Sequence, residues 1–285
     1  MTDLYFALVV LGGLTIALFT ASLWCSYRIS QVLSDLLAMF VVAVMFFYIR
    51  HLWYDVRLTR ILPFSNLIVV GNWLPPLAGL LGGFAWRRIY GRVYRKTICT
   101  AALAVAAGYA AVLPILGDPP ACSDEWDSDG VCLQTTRHTC TPASAATLLR
   151  MYGIDATEAE MATLCLTRKG TTWMGLYRGL KHKTRGTGWD VEVIECSAAD
   201  ISGEPTEPML LSVGMGKEVT AGDKLRLAEW GWQPGRGHSV LLLGKRSAGG
   251  FKIADPTPGY GIETWSTRDL EELFQGTAVR LVERP

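Results

Sequence analysis

Several features that mark common classes of function are missing from this sequence of 285 residues. It contains no GxxxxGK phosphate-binding loop, which argues against an ATPase within the chain. It has no large basic excess: lysine and arginine number nine against four acidic residues up to residue 118, and eighteen against twenty-two from residue 119 onward. This balance argues against a nucleic-acid partner. The region from residue 119 also lacks internal repeats, so nothing there indicates a repeat architecture.

Apolar residues, by contrast, make up 50% of the chain, which is high for a soluble protein. The excess lies in four stretches, roughly residues 3–24, 31–49, 66–86 and 97–116. Each has about the twenty residues that a helix needs to cross a bilayer. The first stretch carries Asp3 and has no basic leading region, which disfavours a cleaved signal peptide. We therefore predict an α-helical membrane region of four spans over residues 1–118, with a break of the third span near Pro75 and Pro76.

The basic residues between the predicted spans indicate an orientation. The connection after the third span, RRIYGRVYRK, holds five of them and is expected to stay cytoplasmic. With four spans, both termini then lie on the outer side of the membrane. Three arginines after the second span, Arg50, Arg57 and Arg60, oppose this orientation, so the charge bias favours it without being one-sided.

From residue 119 the composition becomes that of a globular domain, which begins with a Pro-, Asp- and Ser-rich linker over residues 119–132. Its first third has helical patterns in PASAATLLRMYG, TEAEMATLCL and TWMGLYRGLKHK. Five apolar runs typical of strands follow: WDVEVIEC, PMLLSVGM, HSVLLLGK, GGFKIADP and TAVRLVER. Helices followed by an antiparallel sheet predict an α+β domain over residues 119–285.

This domain contains five cysteines. In an oxidising compartment, Cys122 and Cys132 are predicted to form a disulfide across their acidic loop. Cys165 and Cys196 form a possible second pair. The odd number leaves Cys140 as a free thiol.

The position of Cys140 favours a reactive thiol. Pro142 suits the first turn of the helix that ASAATLL continues, so Cys140 is expected at the amino end of that helix. The unpaired backbone amides and the helix dipole at such an end lower the pKa of a cysteine. The alternatives are a buried core thiol and a zinc site with Cys132 and His138, although these three residues lack a standard ligand spacing.

A nucleophilic cysteine needs a base, and three histidines follow residue 119. His138 is only two residues from Cys140, too close to fold back easily onto its sulfur. His182 lies in a basic helix end that is expected to face solvent. His238 opens the strongest predicted strand, which makes it the preferred base.

The next predicted strand supplies a partner for His238. It closes with Asp255, and two adjacent antiparallel strands can place the carboxylate beside the imidazole. A strand histidine bonded to a backbone carbonyl and a turn aspartate before a proline are the structural alternatives. The segment GWQPGRG before His238, with Trp230 and Trp232, is either a lid or substrate wall or a packed hairpin corner.

These motifs together resemble a known family. QTTRHTCTPASAATLLRMYG, TEAEMATLCLTRKGTTWMGLYRGLK, GHSVLLLG and IADPTPG are similar, in order and spacing, to papain-like cysteine peptidases that trim double-glycine leaders from bacteriocins and related peptides. The resemblance covers about residues 133–258 and none of the membrane region. It implies a papain-like fold for the C-terminal domain.

The resemblance also implies site residues. Cys140 would be the nucleophile, His238 the general base and acid, and Asp255 the residue that orients the histidine. Gln134, six residues before the cysteine, would contribute to the oxyanion hole. The chain departs from the family at Thr141, where glycine is usual; this β-branched side chain is expected to narrow the groove or to alter the oxyanion geometry.

We therefore expect a membrane-integrated cysteine peptidase that acts on a secreted or membrane-associated peptide or protein, without a cofactor or a metal. The expected location is a bacterial inner membrane, with the peptidase domain on the extracytoplasmic side and a separate transporter or secretion protein as a possible partner. Two alternatives stay open: a peptidase-like module that binds peptides without cutting them, and a cell-wall amidase or transpeptidase with the same three residues. A reactive Cys140 thiol would separate the first alternative from an enzyme.

Overall fold

The computed structural model describes residues 1–203, 207–216, 232–247 and 249–284. The chain divides into two compact units, Met1–Leu116 and Gly117–Pro285. The first unit is helical, and the second combines helices with one sheet.

The helices of the first unit follow the apolar stretches of the sequence. They are α1 (Thr2–Arg28), α2 (Gln31–His51), α3 (Leu58–Ile61), α4 (Leu67–Val70), α5 (Leu74–Ala85) and α6 (Val93–Val112), with a 3₁₀ turn at Leu113–Ile115. Four segments are long and apolar enough to cross a membrane: Thr2–Arg28, Gln31–His51, Leu67–Ala85 and Val93–Ile115. Apart from Met151, every exposed large apolar side chain among the described residues lies in this unit, as a lipid-facing surface requires.

The third of these segments is broken, as the two prolines predict. The break lies between α4 and α5, and Pro75 and Pro76 occupy the first turn of α5. The hydroxyl of Tyr48 donates a hydrogen bond to the carbonyl of Gly71 and accepts one, at 3.2 Å, from the N–H of Trp73. A side chain of α2 thus satisfies backbone groups that the break exposes, which a helix in lipid requires.

The second unit has the predicted order of helices followed by strands. Its elements are α7 (Cys140–Met151), α8 (Glu158–Leu164), α9 (Trp173–Lys183), β1 (Trp189–Glu195), α10 (Ala198–Gly203), β2 (Met209–Gly214), β3 (Gly237–Lys245), β4 (Phe251–Asp255), β5 (Gly261–Trp265), α11 (Thr267–Leu273) and β6 (Phe274–Glu283). The strands form one antiparallel sheet in the order β1-β6-β2-β3-β4-β5. The α+β expectation is confirmed, although α10, β5 and α11 were not predicted.

Helix α7 is the central helix of this unit. Ten of its twelve residues are buried, and its apolar side chains, such as Ala145 and Leu148, point in several directions. A helix that is apolar on all sides is enclosed by other elements, and α7 packs against β3, β2, α8 and α9. Its amino end, which carries Cys140, therefore lies against the sheet at β3.

The structure contradicts the predicted disulfide, because Cys122 and Cys132 are both free thiols. Their loop is closed by a backbone bridge between Trp126 and Cys132 instead of a bond between the sulfurs. Burial, reinforced by the carboxylates of Glu158 and Asp124, raises the pKa of both thiols to about 12. A pKa this high keeps both thiols protonated at neutral pH.

The possible second pair is not joined either, since Cys165 and Cys196 are also free. All five cysteines of the domain are therefore free thiols, and their odd number does not distinguish Cys140. What distinguishes Cys140 is its surroundings.

Candidate active site

The nucleophile candidate occupies the first position of α7. Cys140 is 8% exposed and follows Thr139, whose side chain makes no capping hydrogen bond to the helix. The Thr139 hydroxyl instead accepts a hydrogen bond from the N–H of Thr136, in the preceding loop, and donates one to the carbonyl of the same residue, both at 2.9 Å. The amino end of α7 therefore keeps backbone N–H groups that are available to a negative charge beside Cys140.

His238 and Asp255 meet on one face of the sheet. Strands β3 and β4 pair Leu241 with Ala254, so His238, three residues before Leu241, and Asp255, one after Ala254, are diagonal neighbours. The Nε2 atom of His238 lies 2.9 Å from Oδ1 of Asp255. This contact leaves Nδ1 as the ring nitrogen that can face another group.

That other group is the Cys140 thiol, which lies close enough to His238 for each side chain to shift the pKa of the other. Burial alone opposes a thiolate, but the hydrogen bond and charge of His238, with further bonds from the Ser239 backbone and Thr141, lower the pKa of Cys140. Burial likewise opposes the imidazolium, yet Asp255 and Cys140 raise the pKa of His238 to about 10. The two opposite shifts favour a thiolate–imidazolium pair at neutral pH.

Asp255 holds the imidazole from a buried position. The residue is fully buried, and its Oδ1 also accepts a hydrogen bond of 2.8 Å from the N–H of Thr257. Burial raises the pKa of the carboxyl, but the charge and hydrogen bond of His238 and the bonds from Thr257 lower it overall. Among the described residues, His238 is the one ion-pair partner of Asp255, and Oδ2 has no hydrogen-bond partner. The carboxylate therefore favours the charged form of His238 and fixes its ring.

Gln134 is attached to the end of strand β4. Its backbone N–H donates a hydrogen bond of 2.7 Å to the carbonyl of Pro256, directly after Asp255. Its side chain lines a cleft that His238 also lines, and its Oε1 is buried without a hydrogen-bond partner among the described residues. The structure thus brings Gln134 to the same cleft as His238.

Thr141 and Ser239 connect the nucleophile to the base, a link that the sequence did not reveal. The hydroxyls of Thr141 and Ser239 are 2.7 Å apart, and the Ser144 hydroxyl donates a 3.1 Å hydrogen bond to the Ser239 carbonyl. Thr141 is 6% exposed and does not line the cleft. The Thr141 side chain thus packs between α7 and β3, and its effect on the groove and on the oxyanion geometry stays a prediction.

Trp232 covers the imidazole from the side. Its ring centroid lies 4.8 Å from that of His238 in an edge-to-face arrangement, and 5.9 Å from that of Trp265. Trp232 is 6% exposed and also lines the cleft. Of the two sequence-based interpretations, the wall and the packed corner both apply to it, and Trp230 lies outside the described residues. The indole reduces the exposure of the imidazole to water, which strengthens its ionic contacts.

The remaining candidates lie apart from the three-residue cluster. His138 lies beside Arg137, with 3.3 Å between Arg137 Nε and His138 Nε2, and His182 lies near the end of α9. In the described part of the chain, no group of three or more His, Cys, Asp and Glu side chains is arranged to hold a metal ion. The zinc alternative with Cys132, His138 and Cys140 thus has no geometric support.

Comparison with known proteins finds likeness in structure alone. No protein-family model and no curated protein matches the chain. The peptidase domain of Streptococcus ComA, a bifunctional ABC transporter involved in quorum sensing, is similar with 21% identity and a TM-score of 0.42, over 53% of this chain and 96% of that one. A double-glycine-motif protease from an AMS/PCAT transporter, in complex with the leader peptide, has 16% identity and a TM-score of 0.41. The match covers 54% of this chain and 91% of that protease. A third similar structure is the N-terminal peptidase C39-like domain of the toxin secretion ATP-binding protein from Vibrio parahaemolyticus, with 14% identity and a TM-score of 0.37. The match covers 53% of this chain and 100% of that domain.

Proposed function

We propose that this chain is a membrane-anchored, papain-like cysteine peptidase that cleaves a peptide bond in a secreted or membrane-associated peptide or protein. The observation that carries the proposal is the cluster of Cys140, His238 and Asp255, in which His238 is bonded to Asp255 and interacts electrostatically with Cys140. In this cluster the nucleophile has a lowered pKa and the base a raised one. Such a set activates a thiol for acyl transfer, and a module that only binds peptides has no need of it.

In the first half-reaction, the Cys140 thiolate attacks the carbonyl carbon of the scissile bond. The negative charge that develops on the carbonyl oxygen is held by the Gln134 side-chain amide and the Cys140 backbone N–H, and one such donor is typically worth about 3 kcal/mol. The His238 imidazolium donates its proton to the leaving nitrogen. The C–N bond breaks, an amine leaves, and a thioester on Cys140 and a neutral His238 remain.

In the second half-reaction, neutral His238 takes a proton from a water molecule, and the oxygen of that water attacks the thioester carbon. The tetrahedral intermediate collapses with breakage of the C–S bond, which releases the carboxylic acid and the Cys140 thiolate. His238 again carries its proton, so the starting ion pair is restored. Asp255 keeps the ring oriented through both steps and stays ionised.

We further propose that the first unit anchors the enzyme in a bacterial inner membrane, with the second unit on the extracytoplasmic side. The four apolar helical segments support the anchor, and the basic connection between α5 and α6 supports this orientation. The absence of a GxxxxGK loop from the sequence leaves any energy-dependent export to a separate transporter or secretion protein.

An iodoacetamide-type probe tests the proposed nucleophile. At a pH of about 6.5 an ordinary thiol is almost entirely protonated, so Cys140 is expected to react first. Cys140→Ser should lower the labelling rate at least roughly tenfold, as expected for loss of the one thiol with an appreciable thiolate fraction. Cys196→Ser is the matched control, because burial and Asp200 raise the pKa of that thiol.

Equal labelling of the parent and the Cys140→Ser variant would place the reactive thiol elsewhere. A synthetic peptide library then separates the possible functions. Cleavage that depends on Cys140 supports the peptidase, and peptides that are retained but stay intact support the binding module.

The pH dependence of cleavage provides a second test. Below the lowered pKa of Cys140 the thiolate is protonated, and above about pH 10 His238 loses the proton that the leaving amine requires. A plot of kcat/KM against pH is therefore expected to be bell-shaped, with its acid limb below about 8.5, the ordinary cysteine value, and its alkaline limb near pH 10. An acid limb at the ordinary cysteine value would contradict the ion pair.

A further inference from the structure

The cleft beside His238 is cationic. Its volume is about 100 Å³, and the residues that line it include Gln134, Arg137, Trp232, Arg236, His238 and Thr257. No acidic residue is found among the described residues that line it. Arg137 and Arg236 are exposed, and neither forms an ion pair with a carboxylate in the described part of the chain. Within the described residues, two arginines therefore line this cleft without a paired carboxylate.

A third cation adds to the field of the two arginines. The pKa of His138 is lowered by partial burial and by the charges of Arg137, Arg236 and Lys169, which all act on the same imidazole. The surrounding domain is acidic overall, with eighteen basic against twenty-two acidic residues from residue 119 onward. The positive charge at the cleft is thus a local concentration, not a background property of the domain.

The lining of the cleft favours the leaving-group side of the proposed active site. His238 must donate its proton to the leaving nitrogen, so the released fragment of the substrate has to pass next to the imidazole. The cleft is lined by His238 and by Arg236, two residues before it, and Cys140 is not among the lining residues. The acyl fragment stays on Cys140, so the fragment that contacts the arginines is the one that leaves as an amine.

We propose that this cleft binds a carboxylate on the leaving-group side of the substrate, so that the enzyme prefers peptides with an acidic group within about two residues after the scissile bond. Arg236 is two residues before His238 and lines the same cleft, so a carboxylate that it binds lies close to the scissile bond. Guanidinium groups bind carboxylates in planar, two-point contacts, which makes an arginine pair selective for this group. The carboxylate is supplied either by an Asp or Glu side chain or by the C-terminus of a short leaving fragment. This inference rests on the proposed peptidase function.

Cleavage of matched peptides by the full chain in detergent tests the preference. A library randomised on both sides of the scissile bond first yields a cleaved sequence, which is then made with Glu or Gln after the bond and with an amidated or free C-terminus. With an amidated C-terminus, the Glu peptide should have a higher kcat/KM than the Gln peptide. We expect about fivefold for each arginine that binds the carboxylate, which is the upper end of the contribution of a solvent-accessible ion pair. The Gln peptide with a free end isolates the terminal carboxylate. Salt at about 0.5 M should reduce either preference.

Substitution of the two arginines tests whether they cause the preference for acidic peptides. In Arg137→Gln with Arg236→Gln, the ratio of kcat/KM between acidic and neutral peptides should fall towards one. Arg268→Gln is the charge-matched control, since Arg268 is exposed and pairs with Glu272 on α11. Arg236→Glu should favour Lys over Glu at the same substrate position. An acid-to-amide ratio near one for the parent, or one that is equal in the double variant and the Arg268→Gln control, would overturn the proposal.

A binding measurement separates this inference from the peptidase function. Immobilised Cys140→Ser chain, which cannot form the thioester by the proposed route, is incubated with the same library, and the retained peptides are sequenced. If the retained peptides are enriched in acidic residues and the enrichment disappears when both arginines are substituted, the proposed carboxylate site is supported. If in addition the parent cleaves no peptide, only the proposed peptidase activity fails. Cleavage by the parent without acidic enrichment in either assay refutes the cleft and leaves the peptidase intact.

Discussion

His238→Ala is expected to lower kcat/KM for peptide cleavage by about 10⁴-fold, the range seen when a member of such a triad is removed. The variant loses the acid for the leaving amine and the base for the water in one step. It also loses the side chain whose hydrogen bond and charge lower the pKa of Cys140. Steady-state cleavage of the library-derived peptide measures the effect.

The iodoacetamide labelling rate shows whether the His238→Ala substitution also lowers the reactivity of the Cys140 thiol. In His238→Ala the rate at about pH 6.5 should fall, because the Cys140 pKa returns upward without its partner. His182→Ala is the control, since that histidine lies near the end of α9 and does not line the cleft. Unchanged labelling in His238→Ala would mean that another group activates the thiol.

Asp255→Asn is expected to lower kcat/KM by about 10³- to 10⁴-fold with little change in shape. The amide has nearly the same size but no charge, so it neither holds the imidazolium nor accepts reliably from Nε2. The His238 pKa, raised largely by Asp255, should fall, and the alkaline limb of the pH profile should move below pH 10. The shift of that limb is the readout that a purely structural role would not produce.

Asp190→Asn is the matched control for this substitution. Like Asp255, Asp190 is a carboxylate on a strand, and burial raises its pKa while a neighbouring cation, Lys181, lowers it overall. Unlike Asp255, it lies on β1, at the opposite edge of the sheet. Its loss should leave the pH profile unchanged. Thermal unfolding of both variants checks that they are folded, and a profile unchanged in Asp255→Asn would contradict the orienting role.

The parts of the fold that the sequence predicts are those with a strong local signal. Pro142 and the apolar run after it indicate the start of α7, and the run after His238 indicates β3. The prolines at 75 and 76 indicate the break in the third apolar segment. In each case a residue type with a fixed backbone preference or a long apolar pattern determines the element.

Two elements near the site were missed for physical reasons. Strand β5 has only five residues and lies at the sheet edge, so its pairing with β4 depends on distant contacts instead of a local pattern. Helix α11 has a usable signal, the capping box between Ser266 and Asp269, which a search for Ser-x-x-Asp would have found. Trp265, at the end of β5, is fully buried and contacts Trp232, so the omission also hid the packing behind His238.

The odd number of cysteines does not single out Cys140, because all five cysteines of the domain are free thiols. Cys140 is nevertheless the thiol beside His238. The spacing of Cys122 and Cys132 does not report that burial, reinforced by Glu158 and Asp124, raises the pKa of both thiols. Glu158 lies in a helix far along the chain, and only the tertiary fold brings it to the loop. Cys140 differs from the other thiols in a way that sequence cannot show, because its partner is almost one hundred residues away.

Ser239 has a consequence for how such an enzyme diversifies. It follows the base His238 directly and is bonded to Thr141 and Ser144, which lie next to the nucleophile on α7. The distance between nucleophile and base is therefore set by contacts inside the domain, whereas Arg137 and Arg236 project from segments outside those contacts. Mutations at the two arginines can change which peptides enter while the reacting atoms keep their places, so selection can retune the choice of substrate separately from the rate of bond cleavage.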